Sequence, residues 1–148
     1  MTRCGWALEC RYEHPRSRHQ GERRVQLRRV LILDALGAAL SVMLLGAVLP
    51  ALEAYLGMPV SVLYGLALWA LCCLLYDVGC LALADLARPH WLTGVILLNS
   101  AYWFLSGALA IHHRHALTAL GVAYFVGELC VIAGIVALEV RVLRRLRA

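Results

Sequence analysis

Four long apolar stretches follow one another along this chain, and they limit the folds open to it. They are Val30–Leu49, Val60–Leu83, Trp91–Ile111 and Ala116–Leu138, each 20 to 24 residues long. A helix of that length can cross the roughly 30 Å of hydrocarbon in a bilayer. The stretches are continuously apolar and do not alternate every second residue, as the strands of a membrane barrel do. We therefore expect an all-α integral membrane protein with four transmembrane helices.

The composition favours the same class of protein. Hydrophobic residues make up 62% of the 148 positions, and only 16% are charged. A soluble domain of this size buries too little of its surface to hide that much apolar material. We expect one four-helix domain over residues 30–140. A basic, partly disordered tail at residues 1–29 precedes it, and a basic end at residues 141–148 follows it.

The connections between the last three predicted helices are short. Residues 88–90 join the second helix to the third, and residues 112–115 join the third to the fourth. A short connection places consecutive helices side by side and in opposite directions. The sequence therefore predicts an antiparallel, up-down-up-down bundle.

All fourteen basic residues are arginines, and they are unevenly distributed. Eight precede the first helix, Arg88 lies between the second and third, and four follow the fourth. Only Arg114 lies on the opposite side if the helices alternate in direction, which is the positive-inside pattern with both termini in the cytoplasm. We expect the basic ends to bind anionic lipid headgroups, at about 1 kcal/mol per residue near the surface. This distribution argues against nucleic acid as the partner.

Three polar side chains fall well inside the predicted spans: Asp77 in the second, Asn99 in the third and Glu128 in the fourth. A charged side chain at the bilayer centre costs roughly 2.5–3.5 kcal/mol, so each carboxyl must face the bundle interior, find a partner or hold a proton. Tyr102 and Ser106 share a face of the third helix with Asn99 and offer hydrogen bonds. These five residues indicate either a proton or cation site, or a hydrogen-bonded structural contact. Both readings stay open.

Four further carboxyls lie closer to the ends of the predicted helices: Asp34, Glu53, Asp85 and Glu139. Charged groups near a helix end can reach water or the headgroups at little cost. We expect these four to be solvated.

Small side chains form a stripe along the fourth helix at steps of four and three residues: Ala123, Gly127, Cys130, Gly134 and Ala137. In lipid, small residues let helices approach closely and gain van der Waals contact. The stripe predicts a helix-packing face, used either inside the bundle or in a homo-oligomer or a complex with another membrane protein. The first helix offers a shorter version in Gly37, Ala38 and Ser41.

The cysteines and histidines form no recognisable reactive motif. Four cysteines fall inside the spans without the outer Cys-x-x-Cys pair that a membrane thiol oxidoreductase needs, and we interpret them as small packing residues. Three histidines, His112, His113 and His115, form an outer turn typical of a solvated loop. Because neither a nucleophile with a base nor a metal cluster emerges, the sequence predicts no enzymatic activity, no cofactor and no metal.

Short segments of the third and fourth helices resemble a known group of proteins. They are Asn99-x-x-x-Trp103, the opening Leu117-Thr118-Ala119-Leu120-Gly121-Val122, and the closing pair Leu138-Glu139. Together they resemble small, uncharacterised bacterial four-helix integral membrane proteins, over about residues 30–140. The resemblance implies the same fold and a bacterial inner membrane. It implies no activity, substrate or site residues.

Two functions are consistent with these features. The small-residue stripe favours a non-enzymatic scaffold or subunit that packs against other membrane helices, and this is the function that the sequence predicts. The alternative is a small proton-coupled transporter or exporter that uses the intramembrane carboxyls of Glu128 and Asp77.

Overall fold

The computed structural model describes residues 15–83 and 89–147. The predicted positions that lie outside these residues include Arg3, Arg11, Asp85 and Arg88. Within the described residues the secondary structure is entirely helical. Its four long helices are Pro15–Met43, Val60–Leu83, Pro89–His112 and Ala119–Arg147, named here the first to the fourth helix. The all-helical prediction with four long helices is confirmed.

Each long helix belongs to a segment long and apolar enough to cross a membrane: Val25–Ala51, Val60–Ala82, His90–His112 and Ala119–Arg145. No more than 33% of the most apolar part of any segment is buried inside the protein. Large apolar side chains therefore cover the outer surface as well as the interior. This distribution is expected for helices surrounded by lipid.

The first and fourth helices extend beyond the apolar stretches. The first is already helical at Pro15, well before Val30, and the fourth continues past Leu138 to Arg147. Arginine, leucine and glutamine are good helix formers. Leu27 also packs into the core at this end of the bundle. The described half of the tail predicted over residues 1–29 is therefore helical.

Pro50 interrupts the end of the first helix. Its ring has no N–H and crowds the carbonyl four residues earlier, so the regular α-helical hydrogen bonds cannot continue. The first helix accordingly passes through a π-helical turn, Leu44–Val48, into two short helices, Leu49–Ala51 and Glu53–Leu56. Gly57, with a φ of 76°, ends the last of these in a left-handed conformation that favours glycine.

Thr118 ties this connection to the start of the fourth helix. Its hydroxyl accepts a hydrogen bond from the Gly121 N–H at 3.2 Å and so caps the fourth helix. Its own N–H donates to the Leu56 carbonyl at 3.0 Å. The connection between the first and second helices and the connection between the third and fourth are therefore joined through Thr118.

The long helices pack unequally. The first packs along the second, the third packs along the fourth, and the second also contacts the third. The first and fourth helices touch over a much shorter length. One core lies around Leu45, Leu63 and Phe125, and another around Leu31 and Leu92. The limited contact between the first and fourth helices leaves a cleft between them.

Candidate functional site

The cleft between the first and fourth helices has a volume of about 380 Å³. This volume lies in the range of small-molecule binding sites. Its walls are mainly small or apolar, and they include members of both small-residue patterns: Gly37, Ala38, Ser41, Ala123 and Gly127. The small side chains predicted for close helix packing therefore border an open space.

The cleft opens sideways, toward the outer surface of the bundle. Leu40 and Val131, which line it, are 53% and 62% exposed. Along the first helix the lining runs from Asp34 to Leu44, which corresponds to about 15 Å of helix. If the helices span a bilayer, the opening faces the acyl chains.

Glu128 lies on the wall of this cleft and is partly buried. The Tyr102 hydroxyl donates to its Oε1 at 2.7 Å, and the Ser106 hydroxyl donates to its Oε2 at 3.4 Å. The Tyr124 hydroxyl also lies nearby. Because both hydrogen-bond partners can donate, these hydrogen bonds form without a proton on Glu128. The arrangement holds an acceptor carboxyl in place beside the open space.

A second polar site lies in the bundle interior and takes one side chain from each long helix. Its members are Asp34, Asp77, Asn99 and Glu139, which are 4%, 1%, 8% and 0% exposed. The Asn99 Nδ2 donates to Asp34 Oδ2 at 2.8 Å and to Glu139 Oε1 at 3.3 Å. The Asp34 carboxyl also lies close to the Asp77 and Glu139 carboxyls. We call these four residues the carboxyl cluster.

Two oxygens of the carboxyl cluster, Asp77 Oδ2 and Glu139 Oε2, form no hydrogen bond with any residue that the structure describes. Among the side chains that the structure describes, no arginine interacts with the cluster carboxyls. Burying an unpaired carboxylate is costly, so the cluster has to be neutralised in another way.

The two polar sites lie next to each other along the third helix. Asn99 and Tyr102 are three residues apart, a rise of about 4.5 Å. Asp34 and Asn99 belong to the carboxyl cluster and also line the cleft. A molecule in the cleft would therefore border both sites.

The five polar residues that the sequence groups together are divided between these sites. Tyr102 and Ser106 surround Glu128, whereas Asp77 and Asn99 belong to the carboxyl cluster. Asn99, Tyr102 and Ser106 are all buried on one side of the third helix. The functional roles of these residues stay predictions.

The prediction that Asp34 and Glu139 are solvated near helix ends is wrong, because both are buried in the carboxyl cluster. The first and fourth helices continue past the apolar stretches, so these positions are not helix ends. Helical spacing in the sequence could have predicted the burial of Asp34. This residue lies seven residues after Leu27 and three after Leu31, on the face of the helix that those leucines bury. Glu53 is exposed, as expected.

The stripe of small residues on the fourth helix faces outward. All five members are exposed, and a Cβ at Gly127 or Gly134 would meet no atom within 4 Å. Ala123 and Gly127 border the cleft, whereas Cys130, Gly134 and Ala137 lie beyond it. Within the described residues the stripe is therefore not used for packing inside the bundle. Packing between copies or with another protein stays open.

The cysteines are divided between the surface and the interior. Cys72 and Cys130 are exposed, Cys73 and Cys80 are buried, and none of these four forms a disulfide.

Over residues 15–83 and 89–147, no group of three histidine, cysteine or acidic side chains has the arrangement of a metal site. The carboxyl cluster is thus unlike a metal centre in its geometry.

Comparison with known proteins gives no match, since no protein-family model, no curated protein and no solved structure is similar to this chain. The resemblance to small bacterial four-helix membrane proteins stays a prediction. Any function has to be inferred from the cleft and the two polar sites themselves.

Proposed function

We propose that the protein is a multi-pass protein of the bacterial inner membrane that carries apolar organic cations in exchange for protons. Its four helices cross the membrane as an antiparallel, up-down-up-down bundle with both termini in the cytoplasm. The four apolar segments and the one-sided arginine distribution support this orientation. Four exposed arginines lie near the ends of the apolar segments of the first and fourth helices, where anionic headgroups would meet them: Arg28, Arg29, Arg141 and Arg144.

The observation that carries this proposal is the position of Glu128 on the wall of a sideways-opening, mainly apolar cleft. The walls suit an apolar body, and an acceptor carboxyl suits a positive charge. An anionic ligand would instead face Glu128 and Asp34. The cleft therefore selects for a molecule that is apolar and positively charged.

The position of the opening also sets the route of access. A ligand that partitions into the membrane reaches the cleft from the lipid. It does not have to pass between the two connections that Thr118 joins. The small side chains of both helices keep the opening wide. This geometry indicates that the carboxyls serve transport, and it therefore favours the transporter alternative over the scaffold function.

Calorimetric titration of the purified, detergent-solubilised protein with tetraphenylphosphonium tests the ligand site. We expect wild type to bind and Glu128→Gln to bind at least tenfold more weakly, a loss of about 1.4 kcal/mol. Gly127→Leu should weaken binding as well, because the new side chain fills the cleft. Gly134→Leu is the matched control, since Gly134 lies on the same stripe but outside the cleft. Equal binding by wild type and Glu128→Gln would refute the proposed site.

A second candidate function is the scaffold role, and the outward-facing stripe favours it. In this role a second copy of the chain packs stripe against stripe, since a twofold interface pairs the same surface on both subunits. Cys130 would then lie near its counterpart. Oxidation in native membranes should give a covalent dimer, and Cys130→Ser should abolish it. Cys72→Ser is the control and should leave the dimer yield unchanged, because Cys72 is also exposed but lies on the second helix. A dimer yield unchanged by Cys130→Ser would exclude this stripe-to-stripe pairing.

A further inference from the structure

The carboxyl cluster contains more hydrogen-bond acceptors than donors. Three carboxyls contribute six oxygens, whereas the Asn99 amide nitrogen contributes two N–H groups. Both of those donors are used, one on Asp34 and one on Glu139. An ionised carboxyl only accepts hydrogen bonds. The contacts of Asp34 with Asp77 and with Glu139 can therefore be hydrogen bonds only if protons are present in the cluster.

Two unpartnered oxygens give an independent indication that something binds there. Asp77 and Glu139 are 1% and 0% exposed, yet over residues 15–83 and 89–147 no group forms a hydrogen bond with Asp77 Oδ2 or Glu139 Oε2. The other oxygen of Glu139 accepts from Asn99, so the unpartnered one lies in the same cluster. Buried polar atoms are nearly always satisfied, and each exception needs an explanation. A bound proton removes the negative charge of a carboxyl, and this lowers the cost of burying an oxygen that has no partner.

The described side chains around the cluster supply no positive charge. The first helix contributes Asp34, the third contributes the neutral Asn99, and the fourth contributes Glu139. Beside Asp77 the second helix places three weakly acidic groups, Cys73, Tyr76 and Cys80. Within the described side chains no basic group compensates for the carboxyls, and their arrangement is not that of a metal site.

We infer that Asp34, Asp77 and Glu139, held around Asn99, form an internal proton-binding site that is separate from the ligand-binding carboxyl of Glu128. The distinction follows from the partners, because Glu128 accepts from hydroxyl donors, whereas the cluster carboxyls accept from the Asn99 amide and lie close to one another. On release, an O–H bond breaks, the electron pair stays on the carboxyl oxygen, and the proton passes to water.

Asp34 gives this site a connection to the cleft, since it belongs to the cluster and lines the cleft as well. A cation in the cleft would stabilise the ionised form of Asp34, so one positive charge enters as a proton leaves. This coupling rests on the proposed ligand site. The existence of the proton-binding site does not.

Infrared spectroscopy of the wild-type protein in vesicles of ether lipids, which have no ester carbonyl to overlap the carboxyl band, tests the proton-binding site directly. We expect the C=O band of protonated carboxyls at pH 7, and we expect it to disappear as the pH is raised. Asp77→Asn and Glu139→Gln should each weaken the band, whereas Glu128→Gln and the exposed control Glu53→Gln should leave it unchanged. Absence of the band from wild type at pH 7 would overturn the inference without any variant. A band removed by Glu128→Gln, or by sodium chloride at constant pH, would overturn it too.

Proton release on ligand addition tests the coupling separately. Tetraphenylphosphonium added to wild-type protein in weakly buffered solution should release about one proton for each cation bound, as measured with a pH indicator. Glu139→Gln should bind the cation and release less than half as much. Binding without release by wild type would refute the coupling. Failure of wild type to bind would count against the ligand site, while the infrared band still decides the proton-binding site.

Discussion

At the scale of single residues, Asn99 is the donor that allows two buried carboxyls from different helices to approach each other. Its amide nitrogen donates to Asp34 and to Glu139, and its own side chain is 8% exposed. In a low-dielectric interior such a network stabilises the fold only when its groups are satisfied. One amide on the third helix therefore links the first helix to the fourth, at a place where these two helices touch over a short length.

Replacing Asn99 tests this link. Asn99→Leu keeps a similar shape but removes both donors, and each carboxyl left without a partner costs about 1–3 kcal/mol. We expect a lower midpoint of thermal unfolding in detergent, measured by circular dichroism. Ser100→Ala, at the next and only partly buried position, is the control and should have a small effect. If both variants unfold at the wild-type temperature, Asn99 does not hold the cluster together.

At the scale of the helices, the fourth helix contains glycines with opposite surroundings. Gly121 lies against the Leu56 carbonyl, so a Cβ there would collide with backbone that cannot easily move. Gly127 and Gly134 face open space. Glycine is therefore needed for close packing only at the start of the helix, although all three positions look alike in the sequence.

Alanine substitution separates these positions. Gly121→Ala should destabilise the protein by about 1–3 kcal/mol, because the added methyl group overpacks the contact with the Leu56 carbonyl. Gly127→Ala should be neutral or slightly stabilising, since alanine is the better helix former. Urea or thermal unfolding in the same detergent compares the two variants. Equal loss of stability in both would mean that the stripe is packed against another helix.

The helices themselves could be predicted from the sequence, whereas the side chains of the carboxyl cluster could be predicted only in part. A continuous apolar stretch of about 20 residues is a local property, so the second helix begins where the sequence places it, at Val60, and is helical over the whole predicted stretch to Leu83. Burial of Asp34 and Glu139 depends on which faces of four helices meet, and a single stretch does not contain that information. The distance of Asp34 and Glu139 from the end of an apolar stretch did not indicate exposure to water, because the first and fourth helices continue beyond those stretches.

At the scale of the whole molecule, the orientation in the membrane determines which side supplies protons and which side receives the ligand. The proposed orientation puts both termini in the cytoplasm and the residue 112–115 turn outside. The cleft then opens toward the lipid, and Asp34 lies at its cytoplasmic end. This orientation follows from the charge distribution and is open to a direct test.

Labelling of single cysteines in intact cells gives that test. In a cysteine-free background, His115→Cys should react with a membrane-impermeant maleimide, because His115 is exposed in the outer turn. Arg145→Cys, exposed near the end of the fourth helix, should react only after the membrane is permeabilised. The reverse pattern would invert the orientation, and labelling of both in intact cells would place the C-terminal end and the turn on the same side.

The central claim is that the cleft between the first and fourth helices couples cation binding at Glu128 to proton movement. Uptake of ethidium, a fluorescent apolar cation, into proteoliposomes with an acidic interior tests it most directly. Wild-type vesicles should accumulate ethidium while the pH gradient lasts and stop when an ionophore collapses it. Glu128→Gln vesicles should show only the leak of protein-free vesicles, and Gly134→Leu vesicles should behave as wild type. Equal accumulation by wild-type, Glu128→Gln and protein-free vesicles would contradict the account.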